Sequence, residues 1–409
     1  MNGLDKIIIV EWSDNMKELS VREPRYSLIT LILFFSGLTI MSSFYATIPL
    51  ISVFSKEFSV PEGQAVWTSS LFTLSFAIGC LVFGPLSDRI GRKKVMLGGL
   101  VALTIVTIIL GFQSNLYSII VLRGIQGLTA ATFSPIVLPY VMELFPQNKR
   151  VFALSCMSAG FLMAGIVGQV FSSFISSQLG WQYVFLILAA IYVILTLLMI
   201  FFIPNLPANG VRIGETFKLI GKTLGQKSLW FAFAIALVML LSFVGMYTAL
   251  GKFLSSPLFG FSNEQILYVR SVGAIGMALS LFASTLVKKF SVIPVLRSAI
   301  ILSAASLILL GFGANMVFMI VISVVFVSGI AVAIPSLVSL VGELGGAARG
   351  AAISIYTVVV NLGATIGPIL VVQLLGTGNY VLTFSSLAGC LLLGLLATIF
   401  VKRYIPARN

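Results

Sequence analysis

The chain contains no histidine, and only 9% of its 409 residues carry charge. Without imidazole there are no His-ligated metal sites, no His general acid–base catalysis and no His proton relay. Soluble domains run at about 25% charged residues, so the shortage of charge excludes a soluble enzyme and a disordered protein alike. Cysteine is also scarce. Cys80, Cys156 and Cys390 each sit inside an apolar run and read as small packing residues, not as a disulfide or a metal site. Acids are the rarer sign, 12 against 25 Lys and Arg, and none of the twelve falls in the middle of an apolar run. There is no phosphate-cradling P-loop and no spacing that would assemble a catalytic dyad. An enzyme or a nucleotide-driven pump is therefore not expected, and neither is a metal or a cofactor.

What remains is apolar: 59% hydrophobic residues and a mean hydropathy of +1.11. Such a chain spans a bilayer as helices, because the backbone must bond to itself where water is absent. A span takes roughly 20 apolar residues. Apolar runs fall near 28–54, 66–86, 95–113, 116–142, 151–178, 183–203, 229–251, 266–287, 298–314, 317–341, 352–375 and 380–401. The expected fold is all-α: a polytopic membrane protein of twelve transmembrane helices in two pseudo-symmetric six-helix bundles. Residues 27–203 form the first bundle, 204–228 a polar cytoplasmic linker and 229–401 the second bundle. Residues 1–26 and 402–409 are read as cytoplasmic tails. Ile7 to Val10 make only four apolar residues before Glu11 and Asp14, too short for a cleavable signal.

The net charge of +13 points to topology rather than to nucleic acid. A nucleic-acid binder clusters its cations on one face, whereas here they are parcelled out between apolar runs. With the N-terminus inside, twenty-one cations fall on cytoplasmic segments and only Lys56 and Lys252 on outer loops. The positive-inside rule then places both termini in the cytoplasm. The halves also repeat in order and spacing: Pro135 and Glu143 match Pro335 and Glu343, and Ala164 and Gly168 match Gly363 and Gly367. A duplicated six-helix unit is a transporter architecture with its substrate site between the halves.

Between the second and third runs lies Gly84-Pro85-Leu86-Ser87-Asp88-Arg89-Ile90-Gly91-Arg92-Lys93-Lys94. It resembles, at every defined position, the G-x-x-x-D-[RK]-x-G-R-[RK]-[RK] loop of the major facilitator superfamily. Gly84 permits close helix contact and Gly91 a tight turn. Asp88, the one acid among four cations, can pair with a cation or face a helix N-terminus across the half interface. Gly84, Asp88, Arg89, Gly91 and Arg92 are thus read as a conformational latch. The equivalent segment of the second half has Lys288 for Asp88, and Ser284 and Ser291 for the glycines, so the latch belongs to the first half.

Arg123-Gly124-Ile125-Gln126-Gly127 resembles the R-x-x-Q-G motif of the drug:proton antiporter branch. The resemblance implies a proton-coupling role for Arg123, which either faces a wet cavity or snorkels outward. The fifth run departs from that branch, with Gly168-Gln169 where Gly-Pro is expected. With Gly180-Trp181-Gln182-Tyr183 and the Ser256-Pro257-Leu258-Phe259 loop, the chain looks most like the arabinose-efflux type of permease. Candidate cavity residues are Tyr45, Gln126, Gln169, Tyr247, Arg270 and Asn361. The tyrosines are read either as lining or as interhelical packing, and Asn361 either as lining or as an interhelical hydrogen bond. Glu143 and Glu343 are read either as ion pairs with Arg150 and Arg349 or as parts of a cytoplasmic gate.

The expected function is proton-coupled efflux of a small organic molecule by alternating access. With no mid-membrane acid, neutral, zwitterionic or anionic substrates are favoured. The alternatives are a lipid flippase, a transport-dead receptor, or a metabolite importer or uniporter on the same fold. The expected setting is a bacterial plasma membrane. The expected partners are substrate, protons and lipid but no nucleic acid, and the expected state is a monomer.

Overall fold

The computed structural model describes residues 25–207, 221, 223–257, 259–313 and 315–402. The expected N-terminal tail as far as residue 24, linker residues 208–220 and 222, and the C-terminal tail from 403 lie outside the described residues. Twelve helices among them are long and apolar enough to cross a membrane: α1 Tyr26–Tyr45, α2 Glu62–Ile90, α3 Arg92–Leu110, α4 Leu116–Leu144, α5 Gln147–Leu179, α6 Trp181–Phe202, α7 Lys227–Leu254, α8 Gln265–Phe290, α9 Val292–Gly311, α10 Met316–Gly345, α11 Arg349–Leu375 and α12 Tyr380–Val401. Connections rich in Lys and Arg alternate with connections that hold few. The two faces of the bundle are therefore called the basic end and the far end.

Several helices differ from the apolar runs for physical reasons. α2 continues past the run to Ile90, so Asp88 and Arg89 lie on its last helical turn rather than in a loop. Gly91 alone makes the corner into α3, at φ +108°, a conformation that a side chain would strain. α4 is broken at residues 131–133 and restarts at Ser134. Pro135 sits in the first turn of the restarted helix, where its missing N–H costs nothing. α10 carries Pro335 at the matching place and runs without a break. α8 tightens into a 3₁₀ turn at Leu279–Phe282.

The two sets of six pack alike. α1 lies on α5, α2 on α4 and α3 on α6; in the second set α7 lies on α11, α8 on α10 and α9 on α12. The contacts between the sets are also reciprocal: α2 meets α11 as α8 meets α5, and α4 meets α11 as α10 meets α5. Lipid supplies no hydrophobic drive to join helices, so close approach must do so. Gly168 of α5 sits on the Ser42 backbone of α1, and its repeat mate Gly367 of α11 sits on the Leu241 backbone of α7. A Cβ at either would overlap a carbonyl oxygen.

Candidate functional site

The basic end is where the two sets meet most closely. Gly84 of α2 abuts the Ser354 side chain of α11, and a Cβ at Gly342 of α10 would overlap the Met142 thioether of α4. Ser280 Oγ donates to the Ser155 carbonyl on α5 at 3.2 Å. Asp88 closes the same seam. A Cβ at Gly350 would lie 2.8 Å from its Oδ2, so the carboxylate lies against the first turn of α11. That turn carries the positive end of the helix dipole.

Asp88 is part of a three-residue ionic cluster. Arg92 Nη2 is 2.9 Å from Asp88 Oδ1. The same guanidinium forks onto Glu143, Nε to Oε2 at 2.7 Å and Nη2 to Oε1 at 2.6 Å. Arg92 is only 5% exposed, so this bidentate pair is shielded from solvent on the arginine side and stronger than a surface pair. Glu143 therefore does not pair with Arg150. Arg150 Nε instead donates to the Phe145 carbonyl at 2.8 Å, and Arg349 Nε to the Gly342 carbonyl at 3.1 Å. Each caps the end of the preceding helix, where carbonyls lack helical partners. Glu343 is exposed and joins no ion pair among the described residues. Arg89 is exposed on α2, outside the cluster.

Beyond this seam a central cavity of about 310 Å³ lies between the two sets. Its walls come from α1, α2, α4 and α5 on one side and α7, α8, α10 and α11 on the other. Tyr45, Gln169, Tyr247, Arg270 and Asn361 all line it. Gln169 Nε2 donates to the Gly165 carbonyl at 2.6 Å and Asn361 Nδ2 to the Thr357 carbonyl at 2.7 Å, each to its own helix one turn back. Most of the remaining wall is apolar, with Phe44, Phe76, Phe161 and Phe243 among it. The sequence carries no signal for these four, because an apolar residue reads the same whether it lines a cavity or fills a core.

Two expected residues lie elsewhere. Arg123 neither faces the cavity nor snorkels; it is 0% exposed. Its Nε donates to the Thr68 carbonyl at 3.1 Å, Nη1 to the Ser43 carbonyl at 3.1 Å and Nη2 to Thr47 Oγ1 at 3.1 Å. Nη1 also donates to Gln126 Oε1, and the guanidinium lies 4.1 Å from the Phe72 ring centroid. Gln126, expected in the cavity, is likewise 0% exposed and passes the chain on to Thr107 Oγ1 at 2.8 Å. It is held out of the cavity because Arg123, three residues away on the same helix face, needs its oxygen. Together they tie α1, α2, α3 and α4 inside the first set.

Known proteins show similar features. The sequence profile described as Major Facilitator Superfamily matches residues 33–368. An uncharacterized transporter of Buchnera aphidicola subsp. Schizaphis graminum is 26% identical over 347 residues, 84% of this chain and 83% of the relative. The multidrug resistance protein MdtG of Proteus mirabilis is 26% identical over 169 residues, 40% of this chain and 42% of that one. The human organic anion transporter MFSD10 (TETRAN) has the same fold: TM-score 0.75 at 17% identity, covering 92% of this chain and 100% of that chain. The twelve spans, the duplicated packing and the profile match over most of the length lead to one conclusion: the chain belongs to the Major Facilitator Superfamily and is a multi-pass membrane transporter, not an enzyme.

Proposed function

We propose that the chain exports a small organic molecule by alternating access, with protons as the coupling ion, from the cytoplasm of a bacterial cell. The observation that carries this reading is the cavity between the two sets, lined by both and closed at the basic end by α2, α4, α10 and α11. With the basic end read as cytoplasmic, the closed seam shuts the cavity off from the cytoplasm, which is the state in which an exporter releases its substrate. The relatedness to a multidrug resistance protein favours export over import.

No carboxylate lines the cavity among the described residues, so no acid of the protein carries the coupling proton beside the substrate. Two acids at the basic end, Asp88 and Glu143, both sit on Arg92. A proton on Asp88 removes the charge that faces the α11 dipole and releases the closed basic end. Arg123 acts on this cycle from a distance, by fixing the helices of the first set.

The test is substrate-induced proton flux in proteoliposomes against a panel of metabolites and drugs, with an imposed pH gradient. The reading expects at least one organic compound to leave faster when protons can enter. Equal rates with and without the gradient for every transported compound would remove proton coupling. Gradient-driven accumulation on the cytoplasmic side would replace export with import.

A further inference from the structure

The cavity contains one charged side chain among the described residues, Arg270 of α8. Its setting differs from that of every other inward arginine. Arg123 makes four hydrogen bonds to oxygens, and Arg92 forks onto Glu143 and pairs with Asp88. Arg270 makes one bond, from Nη2 to the Tyr247 carbonyl on α7 at 3.0 Å, while its Nε is buried without a partner. A guanidinium has five N–H donors, so most of this one's capacity is unspent. No acid among the described residues pairs with it.

The surroundings keep the guanidinium in place. A Cβ at Gly251 of α7 would lie 2.8 Å from Arg270 Nη2, and Gly273 of α8 leaves room for the Tyr247 ring. Arg270 thus crosses to α7 at Gly251 while Tyr247 crosses to α8 at Gly273. The Tyr247 hydroxyl is a second buried group without a partner, and its ring lies 6.0 Å from the guanidinium carbon. An isolated cation and an orphan hydroxyl in an apolar, membrane-embedded cavity are costly unless something else satisfies them.

We propose that Arg270 is the counter-ion of the transported molecule, which is an amphipathic organic monoanion. Its acid group sits on the guanidinium, and its apolar body rests on Phe44, Phe76, Phe161 and Phe243. The planar donor fork matches a carboxylate or sulfonate. The aromatic rings offer apolar surface and edge contacts to an aryl or alkyl body. A cationic drug has no acid to meet there and would face Arg270 directly. This inference rests on the transport reading for its biological meaning, but it concerns equilibrium binding and is tested without a gradient.

The probes are naphthoate, naphthamide and naphthylmethylamine, alike in shape and different in charge, with oleate added as a lipid acid. Binding is read by thermal shift and by intrinsic tryptophan fluorescence on the purified full chain in detergent. Naphthoate is expected to bind wild type at least about tenfold more tightly than naphthamide, and the amine to bind least. Arg270→Gln should erase the preference of acid over amide, and Arg270→Lys should keep part of it. Naphthoate should outcompete oleate, because a compact acid suits a cavity of about 310 Å³. Stronger oleate binding would overturn the compact substrate in favour of a lipid acid. Equal responses to the three naphthyl probes, including no response, would overturn the proposal. So would a preference for acid that survives in Arg270→Gln. If that variant is not monodisperse, the wild-type series and Arg270→Lys decide. Charge-selective binding without any transport would leave Arg270 as the anion seat and remove the export reading instead. Transport of neutral compounds without charge selectivity would do the reverse.

Discussion

The two six-helix sets share their internal packing and divide the polar work. The first set holds the ionic cluster Asp88–Arg92–Glu143 and an arginine with four hydrogen bonds, Arg123. The second set has Lys288 where Asp88 would be, and its inward arginine, Arg270, is left with donors to spare. The corner between α8 and α9 shows the same divergence on a smaller scale. Ser291 adopts φ +67° at the place where Gly91 adopts +108°, so the duplicated turn persists after its glycine is gone. Duplication fixes the fold, while single side chains decide which half latches and which half meets substrate. An arginine inside the membrane is therefore not a functional signal until its acceptors are counted. Arg123 has spent its donors on protein, and Arg270 has not.

The sharpest way to break this contrast is to delete the arginine whose donors are bonded to protein. Arg123→Ala leaves Gln126 and Thr47 without their donor and opens a void against Phe72. A loss of stability on the order of 3 kcal/mol follows, read as a lower thermal midpoint of the detergent-purified protein. Arg123→Lys should fall between, since it keeps the charge and loses the planar fork. Arg270→Gln, by contrast, should leave the midpoint unchanged or raised. A drop as large as that of Arg123→Ala would make both arginines structural and end the comparison.

A smaller effect belongs to the latch. Asp88→Asn removes a charge worth about 1 kcal/mol at the α11 terminus, which shifts the two-state equilibrium about fivefold. Turnover should fall by that order while substrate affinity within each state stays put, measured by initial rates beside equilibrium binding. Affinity lost with conformational exchange unchanged would deny the latch. The smallest effect tests the divergent turn. Ser291→Gly should gain about 0.5–1 kcal/mol, again by thermal midpoint.

Much of the fold was legible in the sequence because hydropathy reports spans directly. The breaks within spans were less so: α4 breaks just before Pro135 while α10 runs unbroken through Pro335, so the matching prolines alone do not mark a break. The 3₁₀ turn at Leu279–Phe282 has no sequence mark that separates it from helix. At the site, sequence proximity points Glu143 at Arg150, whereas Arg92 on α3 is its neighbour in space. Gln126 lies outside the cavity, and the sequence carries the signal: it is three residues from Arg123, on the same helix face, with the acceptor that arginine needs. Tyr45, Gln169, Tyr247, Arg270 and Asn361 stood out as polar groups in apolar runs, and all five line the cavity.

The most direct measurement is the initial export rate of naphthoate per monodisperse molecule, in proteoliposomes of wild type, Arg123→Lys and Arg270→Gln. The division of labour predicts that Arg270→Gln reconstitutes fully and transports little. It predicts that Arg123→Lys yields less folded protein, whose rate per molecule stays near that of wild type. Wild-type export by Arg270→Gln, with transport lost per folded molecule in Arg123→Lys, would contradict it.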